Sequence, residues 1–436
     1  MEKNNLITVR GTHDILPQEQ KKWQYVKETL CRVAQNYGFS EITTPLMEYG
    51  QIFSKAIGEE TDIIAKEMYY LKSNDDHAIA LRPEGTAGVV RAYYEHGLFT
   101  EPSPLRLFYY GPMFRHERPQ KGRLRQFHQF GVESIGENAA SEDALSILLG
   151  KQILDRVGLP NRSYSIVINS IGCPLCRPKY IKKLASFIRG LKKDSICEDC
   201  ARRANVNPLR LFDCKNPHCQ SQYTNAPTPL DFLCNECKQH FKELLEYLEE
   251  TKIEFTVNDR LVRGLDYYTR TVFEFVSSIG DSRGLAIIAG GRYDNLVSLF
   301  GKRSAPAIGF GMGIERFLQI MADAKISFPK TDTPEVFVVQ LGESARRKSF
   351  SLIQQLVAGN ISISSAISKD GLKSQLRAAD RSGAHFAIII GQREIIDKTI
   401  ILKDLKSGGQ ETVDIQQCTA VIKDRLSNLD CHMGDR

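Results

Sequence analysis

Residues 114–133 read FRHERPQKGRLRQFHQFGVE. The apolar run 105–113 leads into this stretch, Pro119, Lys121 and Gly122 interrupt it, and a second extended run starts at Arg125. The pattern predicts two antiparallel strands joined by a basic loop. Side chains alternate faces along a strand, so Arg115 and Glu117 share a face of the first. In the second, Arg125, Phe127, Gln129, Gly131 and Glu133 share one face, with Gln126, His128, Phe130 and Val132 opposite. If the two odd-numbered faces coincide, they form a polar floor. It offers a cation for a phosphate, a flat ring for a base, and an amide and carboxylates for an amine. A solvated hairpin rich in surface charge is the plainer alternative.

The chain of 436 residues, 42% hydrophobic, is long enough for two or three domains. No apolar run reaches bilayer length, and residues 1–5 are polar with no hydrophobic stretch behind them. Neither a secretory signal nor a membrane span is expected. The net charge of +6 is compatible with a polyanionic partner without identifying one. Of 11 cysteines, eight form close pairs: Cys173/Cys176, Cys197/Cys200, Cys214/Cys219 and Cys234/Cys237. Cys31, Cys418 and Cys431 lie alone. Without a secretory signal, disulfides are the weaker reading of those pairs.

Outward from the hairpin, Trp23, Val26, Leu30, Val33 and Ala34 recur at helical spacing over 20–37, with Gly38 as the stop. An extended segment over 42–47 is broken by Pro45. Strands over 68–71 and 78–81 flank a polar turn at 73–76, and Thr86 caps a helix to Tyr94. A helix over 141–157 and a strand over 164–168 come next. From Cys173 to Leu248 the texture turns basic, helical and cysteine-rich, which reads as an insertion splitting a catalytic domain. Sheet-like sequence resumes at Phe255, 271–277 and 285–289, and Gly309 to Gly313 lead into a helix over 314–322. Beyond residue 334, strands (336–340, 362–367, 386–390, 399–402) and helices (349–357, 372–382) mark a small α/β domain. The expected division is 1–169 catalytic, 170–250 insertion, 251–325 catalytic, 326–334 linker and 335–436 C-terminal domain.

Four further segments bear chemistry. Glu84, Gly85 and Thr86 precede a helix, where Glu84 is either a dipole-favoured cap or, with Thr86, a holder of an ammonium group. Gly309, Gly311 and Gly313 alternate, stripping one strand face so that a flat group can lie on the backbone. They match neither the G-x-G-x-x-G fingerprint nor a P-loop. Arg316 on the next helix could stack on a purine opposite Phe127. Arg263, in the glycine-interrupted block 261–269 with Tyr267 and Tyr268, sits among apolar neighbours and calls for an anionic partner. Residues 289–294 read as a second tight turn beside a charge pair. The eight paired cysteines suit two tetrahedral zinc sites, with His218 a substitute ligand near the looser Cys214/Cys219 spacing; packed thiols are the alternative.

These residues together resemble a known family. The hairpin with Phe114, Arg115, His116, Glu117, Arg118 and Pro119 resembles motif 2 of class II aminoacyl-tRNA synthetases. Residues 309–317 resemble motif 3, and the segment ending in Pro45 resembles motif 1. The blocks 261–269 and 289–294 narrow the resemblance to the histidyl-tRNA synthetases, as do Arg10, Gly11, Asp14, Pro17 and the stretch Lys66-Glu67-Met68-Tyr69. The resemblance implies a catalytic domain with the antiparallel sheet of class II synthetases and a small α/β anticodon-binding domain.

By the same resemblance, Glu84, Thr86 and Gln129 hold a histidine ammonium group beside Gly85. Glu133 and Tyr268 read its imidazole, and Tyr267 lines that pocket. Arg115, Glu117 and Arg123 meet ATP, Phe127 and Arg316 sandwich its adenine, and Arg263 with Arg115 serves catalysis at the α-phosphate. Arg118, Gln120 and Lys121 would touch the acceptor end of tRNA(His). Mg²⁺ accompanies ATP, any zinc at the cysteines is structural, and a cytoplasmic homodimer is implied. A non-catalytic regulatory paralogue is the alternative, and it should lack the C-terminal domain and site residues such as Arg263 and Arg316.

Overall fold

Trp23, Val26, Leu30, Val33 and Ala34 are all buried along one face of the helix Pro17–Asn36. Each large apolar side chain among them contributes about 1.5–3 kcal/mol by leaving water. Proline at the first position costs the helix no hydrogen bond, and Gly38, at φ +78°, turns the chain out of it. This helix packs on one face of an eight-stranded sheet. Across the sheet the strands run Ser40–Glu41, Leu105–Phe114, Gln126–Ile135, Ala307–Gly313, Ala286–Arg292, Thr269–Ser277, Tyr164–Ser170 and Thr256–Val257. Only the two edge pairings are parallel; the six central strands are antiparallel.

The computed structural model describes residues 7–58, 61, 63–72, 77–117, 123–191, 195–214, 216–328 and 333–433. The chain forms two compact units, Met1–Phe328 and Pro329–Arg436. In the first, the predicted hairpin is present, Leu105–Phe114 against Gln126–Ile135 with Tyr109 across from Gly131, but its strands stop short of Arg115, Glu117 and Arg125, which were expected on their faces and lie beyond their ends. Its even-numbered face enters the core: Phe108, Phe130 and Val132 pack with Trp23 and the helix Ala140–Arg156. The odd-numbered face of the second strand looks into a cavity on the other side of the sheet.

Between Tyr164–Ser170 and Thr256–Val257 the chain makes the helices Arg177–Arg189, Glu198–Val206, Pro217–Gln222 and Asn235–Glu250. Pairing breaks between Ser40–Glu41 and Met47–Tyr49, around Pro45, which removes a donor. Two local expectations need correcting. Thr86 does not cap its helix. Glu84 does, its carboxylate accepting from the amides of Thr86 and Ala87 at 2.8 Å each. Gly290 and Gly291 lie in the strand Ala286–Arg292 rather than in a turn. A Cβ on Gly290 would stand 2.3 Å from the Gly309 carbonyl, so the glycine serves close backbone approach.

The second unit is a five-stranded sheet ordered Ile363–Ser365, Val336–Gln340, Phe386–Ile390, Thr399–Asp404, Gln410–Asp414. The first three strands are parallel and the last two antiparallel. Val336 and Val338 face one apolar cluster and Phe337 and Val339 the other, as expected of a strand covered on both faces. The strand Gln410–Asp414 was not legible in the sequence because it is an edge whose only buried residue is Val413.

Candidate active site

One cavity of about 400 Å³ collects Glu84, Thr86, Arg115, Glu117, Arg123, Phe127, Gln129, Glu133, Arg263, Tyr267, Tyr268 and Arg316. Residues from four separate sequence blocks, 84–86, 115–133, 263–268 and the helix carrying Arg316, thus converge. Gly85 stands behind this wall, where a Cβ would meet the Tyr109 ring at 2.3 Å. Arg118, Gln120 and Lys121 lie outside the described residues.

The inner end is acidic and dry. Glu133 is 1% exposed; Thr86 Oγ1 donates to its Oε1 at 2.7 Å and the Tyr293 hydroxyl donates to its Oε2. Burial pushes the Glu133 carboxyl up to about 8, against the pull of those two hydroxyls. Burial also raises Glu84, although the amides of Ala87 and Thr86 stabilise its charged form. The Tyr109 hydroxyl donates to Gln129 Oε1 at 3.1 Å. Two buried carboxyl groups beside an amide carbonyl make an enclosure of acceptors, and a cation rich in N–H donors is what would hold both in their charged form.

The strand Ala307–Gly313 supplies room for these groups. Gly309 is in register with Glu133, Gly311 with Gly131 and Gly313 with Gln129. A Cβ at 309 would come within 1.9 Å of Glu133 Oε2, and one at 311 within 2.8 Å of Gln129 Nε2. The glycines were expected to bare the backbone for a flat ligand. At 309 and 311 they instead admit side chains from the neighbouring strand. Gly313, alone of the three, faces open space, and it lines the same cavity as Phe127 and Arg316.

The outer end is cationic. Arg115 donates from Nε to the Pro83 carbonyl at 2.9 Å and lies 5.3 Å from the Phe127 ring centroid. Arg123 pairs with Glu117 at 3.1 Å, and Arg316 donates to the Ala286 carbonyl at 3.1 Å. Burial, then the neighbouring Arg123 and Arg115, lower the Arg316 pKa. Three guanidinium groups around one carboxylate leave a positive field suited to phosphates.

Arg263 stands between the two ends. Its Nη1 pairs with Glu274, and its guanidinium lies 5.7 Å from the Tyr268 ring centroid. Burial opposes its charge, but Tyr268, Glu274 and Asp213 more than compensate, so its pKa is raised and it stays a cation. Glu274 is the anionic partner that its sequence context required. Tyr109, Tyr293, Glu274 and two insertion residues, Arg210 and Asp213, were not foreseen as part of this site. Tyr293 sits in the block 289–294 and was within reach of sequence reasoning; nothing in the insertion's own pattern marked Arg210 or Asp213.

The sequence profile described as Histidyl-tRNA synthetase matches residues 11–173 and 224–317, and that of an Anticodon binding domain matches 335–425. A protein named histidine–tRNA ligase from Thermodesulfovibrio yellowstonii is 44% identical over 415 residues, 95% of this chain and 97% of that one. The crystal structure of apo S. aureus histidyl-tRNA synthetase superposes with a TM-score of 0.82 at 34% identity, covering 96% of this chain and all of that one. A Bacillus halodurans C protein titled as an ATP phosphoribosyltransferase regulatory subunit/histidyl-tRNA synthetase shares the fold, with a TM-score of 0.63 at 20% identity over 89% of this chain and 98% of that one. With both profiles matched in order, and a relative this similar over nearly its whole length, the chain belongs to the histidyl-tRNA synthetase family.

Proposed function

We propose that the protein ligates histidine to tRNA(His) in two steps at the cavity described above. The reading is carried by Glu133, a buried carboxyl group bonded by two hydroxyls at the inner end of a cavity whose outer end is cationic. Glu84, Thr86 and Gln129 take the histidine ammonium group, with Gly85 letting Tyr109 close behind them. Glu133 and Tyr268 pair the imidazole nitrogens, and Tyr267 lines their pocket. An amino acid without those nitrogens would leave buried polar groups unpaired, which discriminates far better than shape alone.

ATP, with Mg²⁺, occupies the cationic end. Arg115 binds the α-phosphate, Glu117 and Arg123 contact the nucleotide, and adenine lies between Phe127 and Arg316 near Gly313. The histidine carboxylate attacks the α-phosphorus, the bond to pyrophosphate breaks, and histidyl-adenylate forms. The nucleophile is already anionic, so no general base is required. Arg263 bridges the carboxylate and the α-phosphate and draws off the charge that builds on the phosphorus oxygens. The 3′-terminal adenosine of tRNA then attacks the acyl carbon and AMP leaves. Arg118, Gln120 and Lys121 on the hairpin loop guide that acceptor end, and the 335–436 domain reads the anticodon.

A homodimer in the cytoplasm completes the proposal. Leu46, Met47, Tyr49, Tyr70 and Leu71 are exposed on and beside the three-stranded sheet of Met47–Tyr49, Ile79–Leu81 and Tyr69–Leu71, an apolar surface suited to a second copy. No helix among the described residues is long and apolar enough to cross a membrane. A regulatory role without catalysis is disfavoured by Arg263, Arg316 and a C-terminal unit, which such a protein should have lost. The deciding measurement is ATP–pyrophosphate exchange with each of the twenty amino acids in turn. Histidine alone should support it; exchange with another amino acid, or with none, overturns the reading.

A further inference from the structure

The eight paired cysteines gather into two separate sets of four. Cys173, Cys176, Cys234 and Cys237 form one, and Cys197, Cys200, Cys214 and Cys219 the other; within each set all sulfurs lie within 4.8 Å of one another. Cys173 is 3.7 Å from Cys176 and 3.8 Å from Cys234, Cys176 is 3.9 Å from Cys237, and Cys197 is 3.9 Å from Cys214. Four sulfurs each about 2.3 Å from one zinc ion stand about 3.8 Å apart at the corners of a tetrahedron. These contacts have that spacing. They also branch, since Cys173 and Cys176 each touch two other sulfurs, whereas disulfides would join them in exclusive pairs.

The surroundings suit thiolates. The Cys173 amide points at Cys176 Sγ and the Cys197 amide at Cys219 Sγ, both at 3.2 Å, and the Asn216 amide donates to Cys214 Sγ at 3.4 Å. Cys176, Cys197 and Cys234 each immediately precede a helix of nine residues or more, whose N-terminal amides favour negative charge. Gly172, at φ +75°, lets the chain pass so close that a Cβ would sit 2.7 Å from Cys176 Sγ. Among the described residues, the buried apolar cluster around the first set holds Leu233 besides three of the sulfurs, with Leu230 partly buried against it. So small a core does not fix a fold by hydrophobic burial. His218, the substitute ligand considered from sequence, is exposed and outside the second set.

Each set stands next to the amino-acid pocket. Beside the first, Arg177 donates to the carbonyls of Gly172 and Tyr268. The second set brackets Arg210 and Asp213, both lining the cavity. Arg210 donates to the Gly264 carbonyl at 2.6 Å and to Asp266 at 3.1 Å, thereby gripping the loop that carries Arg263. Most of the insertion, 174–223, lies outside the family profile's match, including Cys176 and the whole second set.

We propose that the eight cysteines bind two structural zinc ions, and that the ion at Cys197, Cys200, Cys214 and Cys219 holds Arg210 against the Arg263 loop, so that the insertion is a wall of the amino-acid pocket. The metal assignment stands independently of the proposed reaction; the effect on the pocket rests on it. Elemental analysis of the purified full-length protein should give two zinc per chain, both released by a mercurial thiol reagent in the presence of a chromogenic chelator. Folded protein without metal, or with iron in place of zinc, overturns the assignment. Cys200→Ser should retain one zinc and raise the KM for histidine about tenfold in exchange, with the KM for ATP within about twofold. Arg210→Ala should keep both ions and raise the histidine KM in the same way, which reads the wall without disturbing the metal site. An unchanged histidine KM in Arg210→Ala overturns the role in the pocket even if both ions are present.

Discussion

Gly309 lies directly across from Glu133 in adjacent strands, and any side chain at 309 would start 1.9 Å from the Glu133 carboxylate. The same Cβ would stand 2.3 Å from the Val132 carbonyl, which is backbone and cannot swing aside. Gly309→Ala should therefore turn Glu133 out of its bonds to Thr86 and Tyr293. Overpacking of this kind costs about 1–3 kcal/mol of stability. The expected signature in exchange assays is a loss in kcat/KM for histidine of about a hundredfold, far beyond any change in the KM for ATP. Equal losses for both substrates would mean that the clash spreads through the sheet rather than acting on Glu133.

Glu133 also predicts a pH dependence. Its carboxyl is raised from an ordinary 4.5 to about 8, so between these values the folded chain holds a proton that the unfolded chain has released. Its contribution is fully present below pH 4.5 and is lost as pH rises through 8, on the order of 1 kcal/mol per pH unit. Glu133→Gln cannot lose that proton. Relative to wild type, it should become progressively more stable from pH 5 to pH 8. Trp23, the one tryptophan and a buried residue of the catalytic unit, reports this unfolding by fluorescence. A stability difference that stays flat over that range would mean that Glu133 is ionised in the fold.

What the sequence disclosed follows the range of the interactions. The hairpin was legible because strand alternation is local: Phe127, Gln129 and Glu133 share a face whatever the rest of the chain does. The helix Pro17–Asn36 was legible from five apolar positions for the same reason. Gly309 was misread because its purpose depends on registry with a strand more than 170 residues earlier. Glu274 as the partner of Arg263, and Arg210 and Asp213 as cavity wall, likewise exist only after distant segments meet. The polar edge strand Gln410–Asp414 lacks the apolar alternation by which strands are recognised.

Arg263 is held by Glu274 and the Tyr268 ring before any substrate arrives, so its position costs nothing at the moment of reaction. Arg263→Ala should reduce the single-turnover rate of adenylate formation by about 10²–10³-fold, the scale for losing one preorganised donor. The equilibrium constant for ATP should change by less than about threefold, because Arg115, Arg123 and Arg316 remain. Arg263→Lys should recover little, since a point charge cannot bridge two oxyanions with a planar fork. Parallel losses in ATP affinity and rate would reduce Arg263 to a binding residue.

Asp143 and Arg292 have no exposed side-chain surface and pair at 2.5 Å, with His240 Nε2 2.7 Å from the other carboxylate oxygen. Arg292 also donates to the carbonyls of Glu137 and Ala139. His240 belongs to the helix Asn235–Glu250, which starts at the Cys234/Cys237 pair, so this cluster joins the end of the cysteine-bearing segment to the eight-stranded sheet. Burial opposes the Asp143 charge, but Arg292 and His240 prevail and hold its carboxyl below the usual range. Its contribution is therefore present above pH 4 and lost as pH falls through its depressed folded value. Removing one partner of a buried pair costs about 3–5 kcal/mol because the other charge is stranded. Asp143→Ala should lose that much by Trp23-monitored urea unfolding at pH 7, and Asp143→Ala with Arg292→Met should recover part of it. A loss below about 1 kcal/mol in the single variant would mean that water reaches Arg292 once its partner is gone.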